Sequence, residues 1–193
     1  MAVPARRTRA DAVRNRARVV AAAAEVFAEK GEDAVVPDIA ARAGVGKGTV
    51  YRCFPTKEHL IAAVATERAR WFEREARAAA ADADPWSAFC AFLARVAEAY
   101  CRDRGMVFSM SHGLETPERL EARAAVMAAL RELMDRAIAQ GAMRPDAEPA
   151  DLKVLLSGIA SSLTGSQERD PAVWRRYAQM VADAFRANGN CAG

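Results

Sequence analysis

Ile39-Ala-Ala-Arg-Ala-Gly-Val-Gly-Lys-Gly-Thr-Val-Tyr-Arg-Cys-Phe54 is the stretch on which the fold turns. Ile39, Ala40 and Ala43 have helical spacing, and Gly44 supplies the left-handed residue that ends a helix. Val45 can plug the turn, and residues 47–54 can form a second short helix. Two short helices joined by a tight Gly-containing turn make a helix-turn-helix, the motif whose second helix enters a DNA major groove. The exposed positions of that second helix carry Lys47, Gly48, Thr49, Tyr51 and Arg52, while Val50 and Phe54 can point inward. Short polar groups, a phenol and a guanidinium at the front of a helix suit phosphates and base edges.

Working outward, residues 12–30 read as a first helix with an inward stripe of Val13, Val20, Ala24 and Phe27, ended by Gly31. The second helix starts near Pro37, a residue comfortable in a first turn. Phe54-Pro55 stops the third. Thr56 offers an N-cap to a long fourth helix that runs to about Ala81. Residues 82–85 (Asp-Ala-Asp-Pro) mark a boundary. Beyond it the pattern predicts helices over 85–103, 117–140, 149–166 and 171–187, with an irregular segment at 105–115. The expected fold is all-α with about nine helices: a basic arm (1–11), a three-helix head (12–72, motif about 35–54) and a helical body (82–188).

Charge follows the same division. Residues 1–57 hold 11 Lys+Arg against 6 Asp+Glu, a balance of +5, and the remainder holds 17 against 19, a balance of −2. A basic head on a slightly acidic body is the footprint of a protein that presents one end to a polyanion. Arg6, Arg7 and Arg9 give the arm the means to follow DNA phosphates; a spectator tail is the other reading.

Cys53, Cys90, Cys101 and Cys191 have no CxxC spacing, and the two histidines lie far apart. This argues against a zinc site or disulfide framework and fits a reducing cytosol. No apolar run is long enough for a membrane span. No Ser/His/Asp pattern, paired carboxylates or phosphate-cradling loop points to an enzyme, since Gly44-Val-Gly-Lys-Gly48 lacks Walker spacing. No cofactor is expected, and the location expected is cytoplasmic.

The run from Val19 to Val64 resembles the DNA-binding domain of TetR-family regulators. The likeness is carried by Glu25-Val-Phe-Ala-Glu-Lys-Gly31, the segment quoted first, and Phe54-Pro-Thr-Lys-Glu58. Gly141-Ala-Met-Arg-Pro-Asp146 and Trp174-Arg-Arg-Tyr177 are similar to an actinobacterial-type subgroup of the family's regulatory domains. The resemblance implies a ligand-responsive transcriptional regulator, most commonly a repressor: a homodimer on double-stranded DNA with a palindromic operator, released by a small-molecule effector. The competing readings are an effector-independent architectural DNA binder and, further off, an enzyme.

The resemblance also assigns roles. Tyr51 and Lys57 match phosphate anchors, leaving Lys47, Thr49 and Arg52 as readers of sequence or of nearby phosphates. Three positions depart from the family pattern. Val35 and Gly46 replace hydroxyl residues that cap or contact, and Cys53 stands where His or Tyr is common. An effector pocket for an apolar ligand is expected around Phe89, Phe92, Phe108, Met110 and His112. The dimer face is expected on the two last helices, at Leu152, Leu156, Ile159, Leu163, Trp174 and Tyr177.

Overall fold

The computed structural model describes residues 9–103 and 105–187, and of residues 9 and 10 the backbone alone. Among these residues the chain forms nine α-helices, one 3-10 turn and no strand: α1 (Arg9–Lys30), α2 (Val36–Ala43), α3 (Lys47–Cys53), α4 (Lys57–Ala80), α5 (Pro85–Arg102), α6 (Gly105–Ser111), α7 (Pro117–Ala139), α8 (Pro149–Gly165) and α9 (Pro171–Phe185). The all-α expectation holds.

Local signals explain most boundaries. Pro37, Pro85, Pro117, Pro149 and Pro171 sit in first turns, where a missing N–H costs nothing. Asp84 and Thr116 accept backbone N–H bonds from Ser87 (3.1 Å) and Arg119 (3.3 Å). Thr56 occupies the N-cap position of α4 without capping it. Its hydroxyl lies instead 3.0 Å from His59 Nδ1.

Two apolar clusters form. The head cluster gathers Val19, Phe27, Ile39, Val50, Phe54, Leu60, Ile61 and Val64 from α1 to α4. The body cluster gathers Phe72, Phe89, Phe92, Leu133, Met134, Leu152, Trp174 and Phe185 from α4 to α9. Helix α4 belongs to both. At the far end, Arg144 N donates to Phe185 O and Ala187 N to Ala142 O, so the end of α9 is tied to the connection before α8.

Three expectations need correction. The irregular segment is helical from Gly105 to Ser111, because α6 is held by partners distant in sequence. Buried Arg68 of α4 donates to Gly105 O (2.5 Å), to the Ser109 hydroxyl and to the Asp103 carboxylate. Buried Arg119 of α7 donates to Met110 O (2.9 Å), an open carbonyl in the last turn of α6, and to His112 O (2.8 Å) and Leu114 O (3.2 Å) in the segment just beyond it. Val13 is 63% exposed rather than inward, since the core stripe of α1 begins at Val19. Arg9 to Asp11, assigned to the arm, are helical. Arg6, Arg7 and Cys191 lie outside the described residues.

Helix α6 also meets the head. A Cβ on Gly105 would stand 2.4 Å from Phe27 O, so only glycine lets the two backbones approach this closely. The Phe108 ring packs on Phe27 at 5.8 Å between centroids.

Candidate nucleic-acid interface and body cavity

The turn between α2 and α3 forms because Gly44 takes φ 62°, ψ 38°, a conformation costly for residues with a Cβ. Val45 N then bonds Ala40 O at 3.0 Å. Arg18 of α1 reaches across and donates to Ala43 O at 2.7 Å, fixing the turn to the head. Val50 and Phe54 are buried, and Arg16 lies over the Phe54 ring at 4.7 Å. With that side of α3 anchored, Lys47, Gly48, Tyr51 and Arg52 are exposed and Thr49 is half-buried.

The charges of the head are unevenly paired. Arg42 bonds Glu25 and Glu29, and Lys30 bonds Asp38. The Arg42 guanidinium holds the Glu29 carboxyl below the ordinary carboxylate range. No such partner meets α3: Lys47 makes no ion pair with a described residue, and Arg52 Nη2 donates only to Thr49 Oγ1, at 3.1 Å. Lys57 Nζ donates to Glu32 O at 2.8 Å, which occupies one of its three N–H donors. The recognition-helix surface therefore keeps its positive charge. The two departures at helix starts behave as expected from their chemistry, since neither Val35 nor Gly46 caps with a side chain. Cys53 is half-buried, and no disulfide forms among the described cysteines.

The body contains a cavity of about 760 Å³ between α4, α5, α7, α8 and the end of α6, a volume in the range of small-molecule sites. Of the five pocket residues expected, Phe92 and Met110 line it. Phe89, Phe108 and His112 do not. Phe89 is fully buried against Phe185 and Trp86. Phe108 faces the head, and exposed His112 stacks on it at 4.7 Å. For Phe108 and His112 the expectation rested on a broken segment opening inward, and a regular α6 turns these rings away; Phe89 lies on the side of α5 that packs against α9. Sequence reading missed Phe72, Tyr100, Leu130, Arg119, Arg123 and Lys153, which line the cavity from helices read as core or surface. Burial pushes the Tyr100 phenol up to about 12, so its hydroxyl stays neutral.

On the last two helices, Leu152, Leu163 and Trp174 are buried in the protomer's own core, so they are not available on its surface. Leu156, Ile159 and Tyr177 are half-buried. The apolar groups left outward are Val154, Leu155 and Met180, the last 54% exposed.

A head with one cationic, anchored helix and a body with a ligand-sized cavity define a class: DNA-binding regulators of the helix-turn-helix type. Residues 19–64 match the profile of bacterial regulatory proteins of the TetR family, and residues 84–187 match the C-terminal domain of SbtR-like transcriptional regulators. A TetR transcriptional regulator from Streptomyces coelicolor is 32% identical, with a TM-score of 0.66 over 90% of this chain and 99% of that one. Another, from Mycobacterium vanbaalenii, is 37% identical, with a TM-score of 0.65 over 92% of this chain and 98% of that one. The regulator FadR from Bacillus subtilis, solved with stearoyl-CoA, has the same fold: TM-score 0.67 at 16% identity, over 88% of this chain and 98% of that one. No curated protein sequence matches the chain. The chain belongs to the TetR family and is a transcriptional regulator. No helix among the described residues is long and apolar enough to cross a membrane.

Proposed function

We propose that the protein is a cytoplasmic, ligand-responsive repressor. It binds a palindromic operator as a homodimer and leaves it when a small molecule fills the body cavity. One observation carries this reading: α4 places Leu60, Ile61 and Val64 in the head core and Ala65, Ala69 and Phe72 on the cavity wall. A ligand that favours one position of this helix shifts the head with it, and only differential affinity for the two positions does so. The stearoyl-CoA held by the Bacillus subtilis regulator is a precedent for a ligand in this fold.

Within this reading Tyr51 and Lys57 grip phosphates, while Lys47, Thr49 and Arg52 meet base edges or neighbouring phosphates, with Gly48 allowing close approach. The dimer forms through α8 and α9 at Leu155, Ile159, Tyr177 and Met180, with Leu156 beside them. We take residues 12–72 as head and 82–188 as body, with α4 shared between the two cores.

The test is a selection of binding sites from a random duplex pool with the full chain, followed by a ligand screen on the selected duplex. Palindromic sites with half-sites about one helical turn, ~34–36 Å, or a multiple apart are expected. A compound that stabilises the protein should also release the duplex. Asymmetric or absent sequence preference would overturn the operator reading. Stabilising compounds that never alter DNA affinity would leave an effector-independent binder.

A further inference from the structure

We propose that the body cavity is built for an amphipathic anion, with its apolar part on the cavity floor and its acid group at the mouth. This deepens the effector reading above and rests on it. The cavity divides by chemistry along its depth. Phe72, Phe92, Leu130 and Leu152 are buried and make an apolar floor. The exposed lining residues cluster on the end of α6, the first half of α7 and the start of α8, which places the mouth there. At that mouth Arg123 and Lys153 are exposed and Arg119 lies buried behind them, so the lining there holds three cations against one carboxylate, Glu115.

Those cations are not all neutralised by the protein. Glu115 is shared between Arg123 (3.1 Å) and Arg119 (3.6 Å). Lys153 makes no hydrogen bond or ion pair with a described residue. In the open cavity water solvates it, and a ligand that covers the mouth must replace that water with acceptors. A neutral apolar molecule cannot do this. A carboxylate can, through charge-assisted bonds. Deeper in, the Tyr100 hydroxyl lines the cavity with no hydrogen bond to a described residue, and gives a neutral donor for a second oxygen.

The same mouth is wired to the head. Arg119 spends its guanidinium on the carbonyls of Met110, His112 and Leu114. An anion beside it competes for those donors with a stronger acceptor than a carbonyl. The end of α6 is then released or re-seated, and α6 bears on Phe27 of the head through Gly105 and Phe108.

The experiment uses the full chain and two matched pairs, dodecanoate with dodecanol and 2-naphthoate with 2-naphthol. Calorimetry gives affinities, and hydrogen exchange and release of the selected duplex give the response. At least one acid should bind about tenfold or more tightly than its alcohol, the size expected for hydrogen bonds to a charged group. Lys153→Gln with Arg123→Gln, both at exposed positions, should shrink that preference to a few-fold and leave the alcohol's affinity unchanged. Exchange should quicken over residues 108–114 when the acid binds. Equal affinity of acid and alcohol, no binding by either acid, or a preference that survives both substitutions overturns the anion site. Acid-selective binding that leaves DNA affinity unchanged supports the anion site and overturns the effector reading instead.

Discussion

Arg68→Met removes the group that ties α4 to the junction of α5 and α6. The Arg68 side chain is 7% exposed and donates to Gly105 O, Ser109 Oγ and the Asp103 carboxylate. Methionine keeps the apolar stem and leaves all three acceptors without their donor. Taking one partner from a buried ion pair costs about 3–5 kcal/mol. Asp103 is 24% exposed, so water restores part of its solvation, and a loss of about 2–4 kcal/mol is expected. For a domain of 150–250 residues that lowers Tm by about 4–16 °C. The loss depends on pH. Burial holds the Asp103 carboxyl above the ordinary aspartate range, and Arg68 opposes that rise. Without Arg68 the carboxyl rises further. A carboxyl with a raised folded pKa stabilises only in its protonated form. That contribution is complete below the ordinary aspartate range and disappears as pH climbs through the raised value. The deficit is therefore largest at neutral pH and shrinks on acidification. Asp103→Asn keeps an acceptor for Gly105 N but removes the charge, so the double variant should recover about 1 kcal/mol or more of the single loss. Urea unfolding of the four proteins at pH 7 and pH 5, at one protein concentration, measures this cycle. A loss under about 1 kcal/mol at pH 7, or strict additivity of the two substitutions, refutes the reasoning.

Three further expectations follow from the structure. Gly105→Ala places a Cβ 2.4 Å from Phe27 O and should cost about 1–3 kcal/mol in thermal unfolding; an unchanged Tm means that α6 is not pressed on α1 as described. Leu155→Glu and Met180→Glu should each shift sedimentation from about twice the 20.8 kDa chain mass towards one chain and weaken operator binding; an intact dimer in both places the interface elsewhere. Tyr51→Phe and Lys57→Ala should weaken all duplexes alike, while Arg52→Ala also relaxes one base preference per half-site in a repeated selection; uniform weakening by Arg52→Ala makes it a phosphate contact.

The head was legible because its decisive residues act locally. Gly44, Pro55 and the spacing of Ile39, Ala40 and Ala43 each do their work within a few residues. The body was less so, for the opposite reason. Gly105-Met-Val-Phe-Ser-Met-Ser111 has little helical preference of its own, and its helix is held by Arg68 and Arg119, 37 positions before Gly105 and 9 after Met110. No local pattern carries that information. Periodicity also revealed two wide apolar arcs on α8 and α9 without telling which edge faces home. Leu152, Leu163 and Trp174 fell to the protomer core and Leu155 and Met180 to the surface. The cavity shared this fate: aromatic residues drew attention to Phe89 within α5 and to Phe108 in a supposed break, whereas its walls include Arg119, Arg123 and Lys153, charged residues that read as ordinary solvated positions.

A helix as short as α6 is marginal in isolation, because the first turn fixes several residues for a single hydrogen bond. Its position is therefore set by what surrounds it: Phe27 on the head side, Arg68 on α4, and Arg119 at the cavity. A long helix such as α4, packed in both cores, resists bending and can only tilt as a unit. An element of seven residues held by three outside groups can be re-seated at lower cost. Two paths from cavity to head thus differ in stiffness. A ligand that pushes on Phe72 or Ala69 acts through α4, whereas one that engages Arg119 acts through α6. The Arg68 bonds join the two paths, so Arg68→Met should weaken the effect of an acid ligand on DNA affinity even where the ligand still binds. If ligand release of DNA survives that substitution undiminished, α4 alone transmits the signal, and α6 is a passive filler between head and body.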